Sequence, residues 1–223
     1  MTTALPPSER SRLRRAADHA RYDRATVHAI VDAAYLCHVA FSDGHGVHCI
    51  PTACWREGEH LLIHGSNGSR MLKALLDSEA CVTITHLDGL VLARSAFNHT
   101  MNYRSVVVHG RFEPVPAEHK AESLHRLMDH IAPGRRHHAR AGDATELAAT
   151  TLLRLPLAEA SAKVRAGGPQ DDEADLGLDV WAGVLPLLAA RGEPLREGDG
   201  GGEPPPYVTA WCPARGPLRR PGS

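Results

Sequence analysis

The stretch LLIHGSNGSRMLKALLDSEACVTIT, residues 61–85, decides the fold, because its apolar period changes twice within it. Three apolar residues run into His64. Residues 65–69 are polar and glycine-rich, and Met71, Leu72, Leu75 and Leu76 then recur at helical spacing. Strand character resumes at residues 80–85. The reading is strand, loop, short helix, strand, with Arg70 at the helix start. Such a loop offers backbone N–H groups, the hydroxyls of Ser66 and Ser69 and the guanidinium of Arg70 to a phosphate. The same residues also read as a plain glycine-rich turn with a serine as helix cap.

Upstream of this stretch, Asp23 is placed to cap a helix whose Val27, Ile30, Val31 and Ala34 share one face. Residues 36–41 and 47–55 read as a hairpin about Asp43-Gly44-His45-Gly46, and Glu57-Gly58 turns the chain into residue 61. Downstream, strand candidates at 90–94 and 104–112 flank a polar connection, 95–103, long enough to suggest function. An amphipathic helix over 116–131 carries Leu124, Leu127, Met128 and Ile131 on one side. A basic loop (135–140) and a helical turn near Glu146 lead to strands at 151–157 and 161–164. About seven short strands with a few helices predict a mainly β chain, a closed antiparallel barrel with helices outside. The domain organisation follows: a flexible leader (1–22), the barrel (23–166), a segment docking back on it (167–190, with an apolar stretch at 178–190) and a disordered tail (191–223).

Composition narrows the function. The chain has 223 residues, 43% of them apolar, and no apolar run long enough to span a bilayer, so one main domain and no membrane partner are expected. No secretory signal is recognisable, which points to the cytoplasm. Twenty-five Lys and Arg against 26 Asp and Glu give no electrostatic reason to expect a nucleic-acid partner. Cys37, Cys49, Cys54, Cys81 and Cys212 are odd in number, form no C-x-x-C pair and read as reduced thiols. Fifteen histidines are present without zinc-ligand spacing, so no metal site is expected.

With strand, polar loop and Ser69-Arg70 in this order, the chain resembles the pyridoxamine 5'-phosphate oxidase superfamily, which holds the FMN phosphate with such a pair. The resemblance implies an FMN-binding split β-barrel, antiparallel and Greek-key-like, with His64 and Gly65 beside the flavin and Ser66, Ser69 and Arg70 at its phosphate. Met71 stands where relatives often have a second phosphate-binding lysine. A second match, Arg104-Ser105-Val106-Val107-Val108-His109-Gly110-Arg111-Phe112-Glu113, implies Arg104 and Ser105 near the flavin, reaching from a partner subunit. With residues 158–165 the resemblance spans about 23–184. It is nearest the flavin-nucleotide-binding and 5-nitroimidazole-resistance branch, in which the histidine at the position of His64 adjoins the cofactor.

An isoalloxazine ring needs an apolar slot with a few directed hydrogen bonds. Backbone groups at Ile50, Pro51 and Thr52 are candidates for its polar edge, and Trp55 and Trp181 for its neighbours. The implied function is an FMN-dependent oxidoreductase acting on a small organic molecule, with His64 or Tyr103 as proton donor, in a homodimer with flavin at the subunit interface. Vitamin B6 oxidation is not indicated, since residues that would hold pyridoxal phosphate are not recognisable. The alternatives are a non-catalytic flavin store or sensor, or a member of the fold that binds F420 or haem.

Overall fold

The computed structural model describes residues 5–190, 194–198 and 202–209. Cys212, and most of the tail expected to be disordered from residue 191, lie outside the described residues. A two-residue strand, β1 (Ala20–Arg21), leads into α1 (Arg24–Asp32). The Asp23 carboxylate accepts the Thr26 N–H and so satisfies one of the donors left free at the helix start. Then follow β2 (Leu36–Asp43), β3 (Gly46–Glu57), β4 (His60–Ser66) and α2 (Arg70–Asp77). Next come β5 (Glu79–Leu92), β6 (Thr100–Arg111), β7 (Glu113–Pro114), α3 (Lys120–Ile131), α4 (Ala144–Ala149), β8 (Thr150–Pro156) and β9 (Ala160–Arg165). β10 (Gly183–Pro186) and α5 (Pro206–Thr209) complete the order.

All strand pairs are antiparallel, in the order β1-β9-β6-β5-β2-β3-β4-β8-β7, with β10 added on β5. The architecture is a mostly β half-barrel with flanking helices. Alternation along β2, β5 and β6 turns Val39, Phe41, Val82, Ile84, Val106 and Val108 inward, where they meet Leu61, Ile63, Leu153 and Leu155. Val27, Ile30 and Val31 of α1 and Leu72 and Leu75 of α2 close this core. β4 is buried on both faces, which explains its unbroken apolar run. Leu61 and Ile63 point into the main core, while Leu62 joins Trp55, Val115, Leu127 and Leu152 in a second cluster that includes α3.

Two sequence expectations change. The candidates at 80–85 and 90–94 are one strand, β5, whose register shifts between Leu87 and Gly89 as it runs along β6. Asp88-Gly89 reads as a break but acts as a bulge, which a β ladder absorbs at one extra residue. The polar connection is correspondingly shorter, because residues 100–103 belong to β6. The apolar stretch 178–190 does return to the barrel, as β10 against residues 89–92 of β5.

The leader runs along the barrel. Arg10 reaches Glu79 at 2.7 Å and also pairs with Glu159, to which Ser8 donates, and Ala20–Arg21 forms β1 on β9. At the other end Arg135 donates to the Tyr207 hydroxyl at 3.2 Å. No helix among the described residues is long and apolar enough to cross a membrane.

The feature that positions a site is where the sheet opens. β3 and β4 pair only from Glu57/His60 to Cys54/Ile63, yet β4 continues on β8 to Ser66/Thr150 and β3 continues on β2 to Gly46/Asp43. Beyond Cys54 the two strands diverge, leaving residues 46–53 of β3 as an edge facing the end of β4.

Candidate functional site

His64 is the first residue of β4 past the last β3–β4 pair. Its ring meets Trp55 edge to face, with centroids 5.9 Å apart, and its Nδ1 is buried without a hydrogen-bond partner. Burial pushes the imidazole below its ordinary pKa, so it stands neutral at pH 7. A neutral imidazole with one unpartnered nitrogen is a ready donor or acceptor for a group entering the split. The folded pKa lies below the unfolded value of about 6.5, so the neutral form's stabilisation is complete above that value and is lost as pH falls through it. His64→Phe removes this dependence. In denaturant titrations between about pH 7 and pH 5, ligand-free wild type is expected to lose more stability than the variant. Equal losses in the two proteins would contradict the buried, unpaired state of His64.

Gly65 follows on the inner face. A Cβ there would lie 3.0 Å from Leu72 Cδ1, so glycine lets α2 seat against the end of β4. Gly65→Ala is expected to push α2 outward by a few tenths of an ångström and to cost about 1 kcal/mol, a modest overpacking penalty measurable by chemical denaturation.

The loop after Gly65 is braced. The Asn67 N–H donates to Ala149 O at 3.0 Å, its Nδ2 to Ala148 O at 2.7 Å, and its Oδ1 accepts from Thr151 Oγ1 at 2.7 Å. The loop is therefore tied to the α4–β8 junction. Ser66 Oγ accepts the Gly68 N–H at 3.2 Å, and Ser69 Oγ accepts the Leu72 N–H at 3.3 Å as the cap of α2. The capping reading of Ser69 thus holds, and a hydroxyl that accepts from the backbone still has its own proton to donate outward.

Arg70, the first residue of α2, is 63% exposed in its side chain, and its Nε lies 3.5 Å from Asp43 Oδ2. Among the described residues its terminal nitrogens have no hydrogen-bond partner. Met71 packs partly buried against the core and adds no charge.

Ile50, Pro51 and Thr52 lie on the free edge of β3, opposite Val39, His38 and Cys37 of β2. An edge is where a strand proline is tolerated. By register they continue past the last β3–β4 pair, so the structure brings them to the same opening as His64, Gly65, Ser66, Ser69 and Arg70.

The other sequence candidates lie elsewhere on the chain. Arg104 is buried on β6 and donates through Nε and Nη2 to both oxygens of Asp88, each at 2.8 Å. Within the chain its Nε and Nη2 are engaged by this ion pair. Ser105 faces the opposite side of β6, beside Thr85 and Lys163, with β5 and β2 between it and β3. Trp181 is 64% exposed on the approach to β10, and Trp55 is buried in the second core. The sequence missed Asp43 and His48 at the tip of the β2–β3 hairpin, where His48 Nε2 and Asp43 Oδ1 are 2.9 Å apart. Asp43 reads only as a turn residue and His48 as part of the strand over 47–55, since nothing local announces that the hairpin tip meets α2. Among the described residues no group of three or more His, Cys, Asp or Glu is placed to hold a metal ion.

The model of a family described as pyridoxamine 5'-phosphate oxidase matches residues 23–164, the span from the cap of α1 to β9. The chain belongs to the pyridoxamine 5'-phosphate oxidase family. Two solved members extend the likeness over nearly the whole chain. The flavocytochrome Anf3 from Azotobacter vinelandii is 39% identical, with a TM-score of 0.88 covering 93% of this chain and 98% of that one. The FAD and haem binding protein from Mycobacterium smegmatis is 36% identical, with a TM-score of 0.82 covering 86% of this chain and 96% of that one. A Bacteroides thetaiotaomicron protein assigned to 5-nitroimidazole antibiotic resistance is 19% identical, with a TM-score of 0.55 covering 65% and 86%, and shares the fold. No curated protein matches the chain.

Proposed function

We propose that this member of the pyridoxamine 5'-phosphate oxidase family is a flavin-dependent oxidoreductase whose flavin lies in the opening between β3 and β4. The observation that carries the reading is the convergence there of a free strand edge, the unpaired nitrogen of His64 and the braced loop ending in Arg70. The residues suit the group. The edge offers backbone donors and acceptors to a ring, and His64 offers one directed bond. Arg70 with the Ser66 and Ser69 hydroxyls suits a phosphate.

FMN and FAD share the ribityl phosphate that Arg70 would meet. We favour FAD, with haem as a second prosthetic group, because the solved relatives that match nearly end to end are a flavocytochrome and an FAD and haem binding protein. When bound, the flavin supplies hydride and electron transfer and the haem supplies one-electron transfer. The chain's part is to position the ring, anchor the phosphate and offer His64, kept neutral by burial, for a bond to the ring or to a small organic substrate.

We further propose a homodimer with the flavin at the subunit interface. Leu185, Leu90 and Met101 lie side by side across β10, β5 and β6 with their side chains exposed, and Phe97 at the adjoining turn is 96% exposed. Such an exposed apolar strip favours a protein contact. The test of the reading is the absorption spectrum of protein purified without added cofactor, followed by heat release and chromatography of the supernatant. Released FAD together with a Soret band is expected. A colourless protein that takes up neither flavin nor haem would overturn it.

A further inference from the structure

We propose that Asp43 is a positioning residue that turns the guanidinium of Arg70 toward the flavin phosphate, an inference that rests on the flavin reading above. Asp43 ends β2, and its side chain is only 12% exposed although it sits at a hairpin tip. Its Oδ1 accepts the His45 N–H at 2.8 Å and lies 2.9 Å from His48 Nε2. The His48 ring packs on Phe41, with centroids 5.1 Å apart, and Phe41 is part of the main core. The carboxylate is therefore fixed in rotation from one side.

That fixation leaves Oδ2 buried without a hydrogen bond and 3.5 Å from the Nε of Arg70. A guanidinium is planar, with donors along two usable edges. When the Nε edge faces Asp43, the edge formed by the two terminal nitrogens faces away. This is the edge that grips a phosphate through two parallel bonds. Orientation matters more here because Met71 leaves Arg70 without the second cation that relatives often provide at the next position. The His45 N–H and the neighbouring His48 and Arg70 hold the Asp43 carboxyl below the usual carboxylate range, so it remains charged at neutral pH.

A carboxylate beside an arginine can act in two opposite ways. By neutralising the cation it would weaken phosphate binding, and by aiming the cation it strengthens it. The charge-removing Asp43→Asn substitution separates the two by sign. Full-length protein stripped of cofactor is titrated with riboflavin, FMN and FAD, following flavin fluorescence. Wild type is expected to prefer FMN and FAD over riboflavin. Asp43→Asn is expected to weaken FMN and FAD about fivefold and to leave riboflavin unchanged. In an Arg70→Gln background it should change none of the three.

FMN bound equally or more tightly by Asp43→Asn overturns the proposal. So does an equal loss for riboflavin, which would indicate hairpin damage, or a loss that persists without Arg70. Should Asp43→Asn not fold, His48→Phe carries the test. It removes one of the two contacts that hold Oδ1, leaving the His45 N–H, and keeps a ring against Phe41, so a smaller loss of the same kind, selective for phosphate, is expected. If wild type does not distinguish FMN from riboflavin, the placement of the flavin phosphate itself fails. If it does and Asp43→Asn has no effect, only the role of Asp43 fails.

Discussion

Replacing Arg70 by Gln is expected to weaken FMN and FAD binding about 10- to 100-fold, with riboflavin affinity nearly unchanged. The magnitude follows from losing charge-assisted bonds to a phosphate, about 1.5–3 kcal/mol. The selectivity follows from position. Arg70 stands at the start of α2, where the proposed phosphate would lie, whereas the ring would meet β3 and His64. Among the described residues its mostly exposed side chain is tied only by the 3.5 Å approach to Asp43, so the melting temperature should change little. Equilibrium titration of the three flavins, with thermal unfolding of the same samples, checks both parts. Equal losses for riboflavin and FMN would move the site away from Arg70.

Arg104→Ala is expected to act in the opposite manner, with a large loss of stability and no selective loss for flavins that carry a phosphate. Truncation leaves the Asp88 carboxylate without the two 2.8 Å bonds that satisfy both of its oxygens, in a position where Arg104 itself is buried. Breaking such a pair from one side costs about 3–5 kcal/mol, whereas replacing both partners with apolar residues of similar volume is often neutral. Urea unfolding should place Arg104→Ala well below wild type and Arg104→Met/Asp88→Leu near it. The local loss should centre on the β5–β6 arm, since Asp88 sits at the bulge between Leu87 and Gly89. A stable Arg104→Ala protein with a selective FMN defect would return Arg104 to the site.

The contrast between Arg70 and Arg104 shows how far sequence carries the account. The strand, loop and helix of residues 61–85 were legible because their determinants are local: an apolar run, a glycine-rich loop, a serine cap and a helical period. The α1 cap at Asp23 was legible for the same reason. The ion pair of Arg104 was not, because its partner lies in a strand whose two halves read as separate candidates on either side of Asp88-Gly89. The register pairs Arg104 with His86, and only the side-chain contact shows that Asp88, left unpaired at the bulge, reaches it. Asp43 lies 27 positions before Arg70 and meets it only once the hairpin tip folds beside α2. No periodicity encodes that contact. The opening between β3 and β4 escaped for a related reason, since where a ladder ends depends on the divergence of two strands that each pair well elsewhere.

Hydrogen–deuterium exchange of the cofactor-free protein, with and without added FAD, tests the central claim most directly. The account predicts slowed exchange at the amides of residues 46–53 along the β3 edge and at residues 64–71 of the loop and helix start, while the inner strands β5 and β6 stay unchanged near Val82 and Val108. Protection absent from both segments, or found only at a distant surface, would contradict a flavin seated where β3 and β4 part.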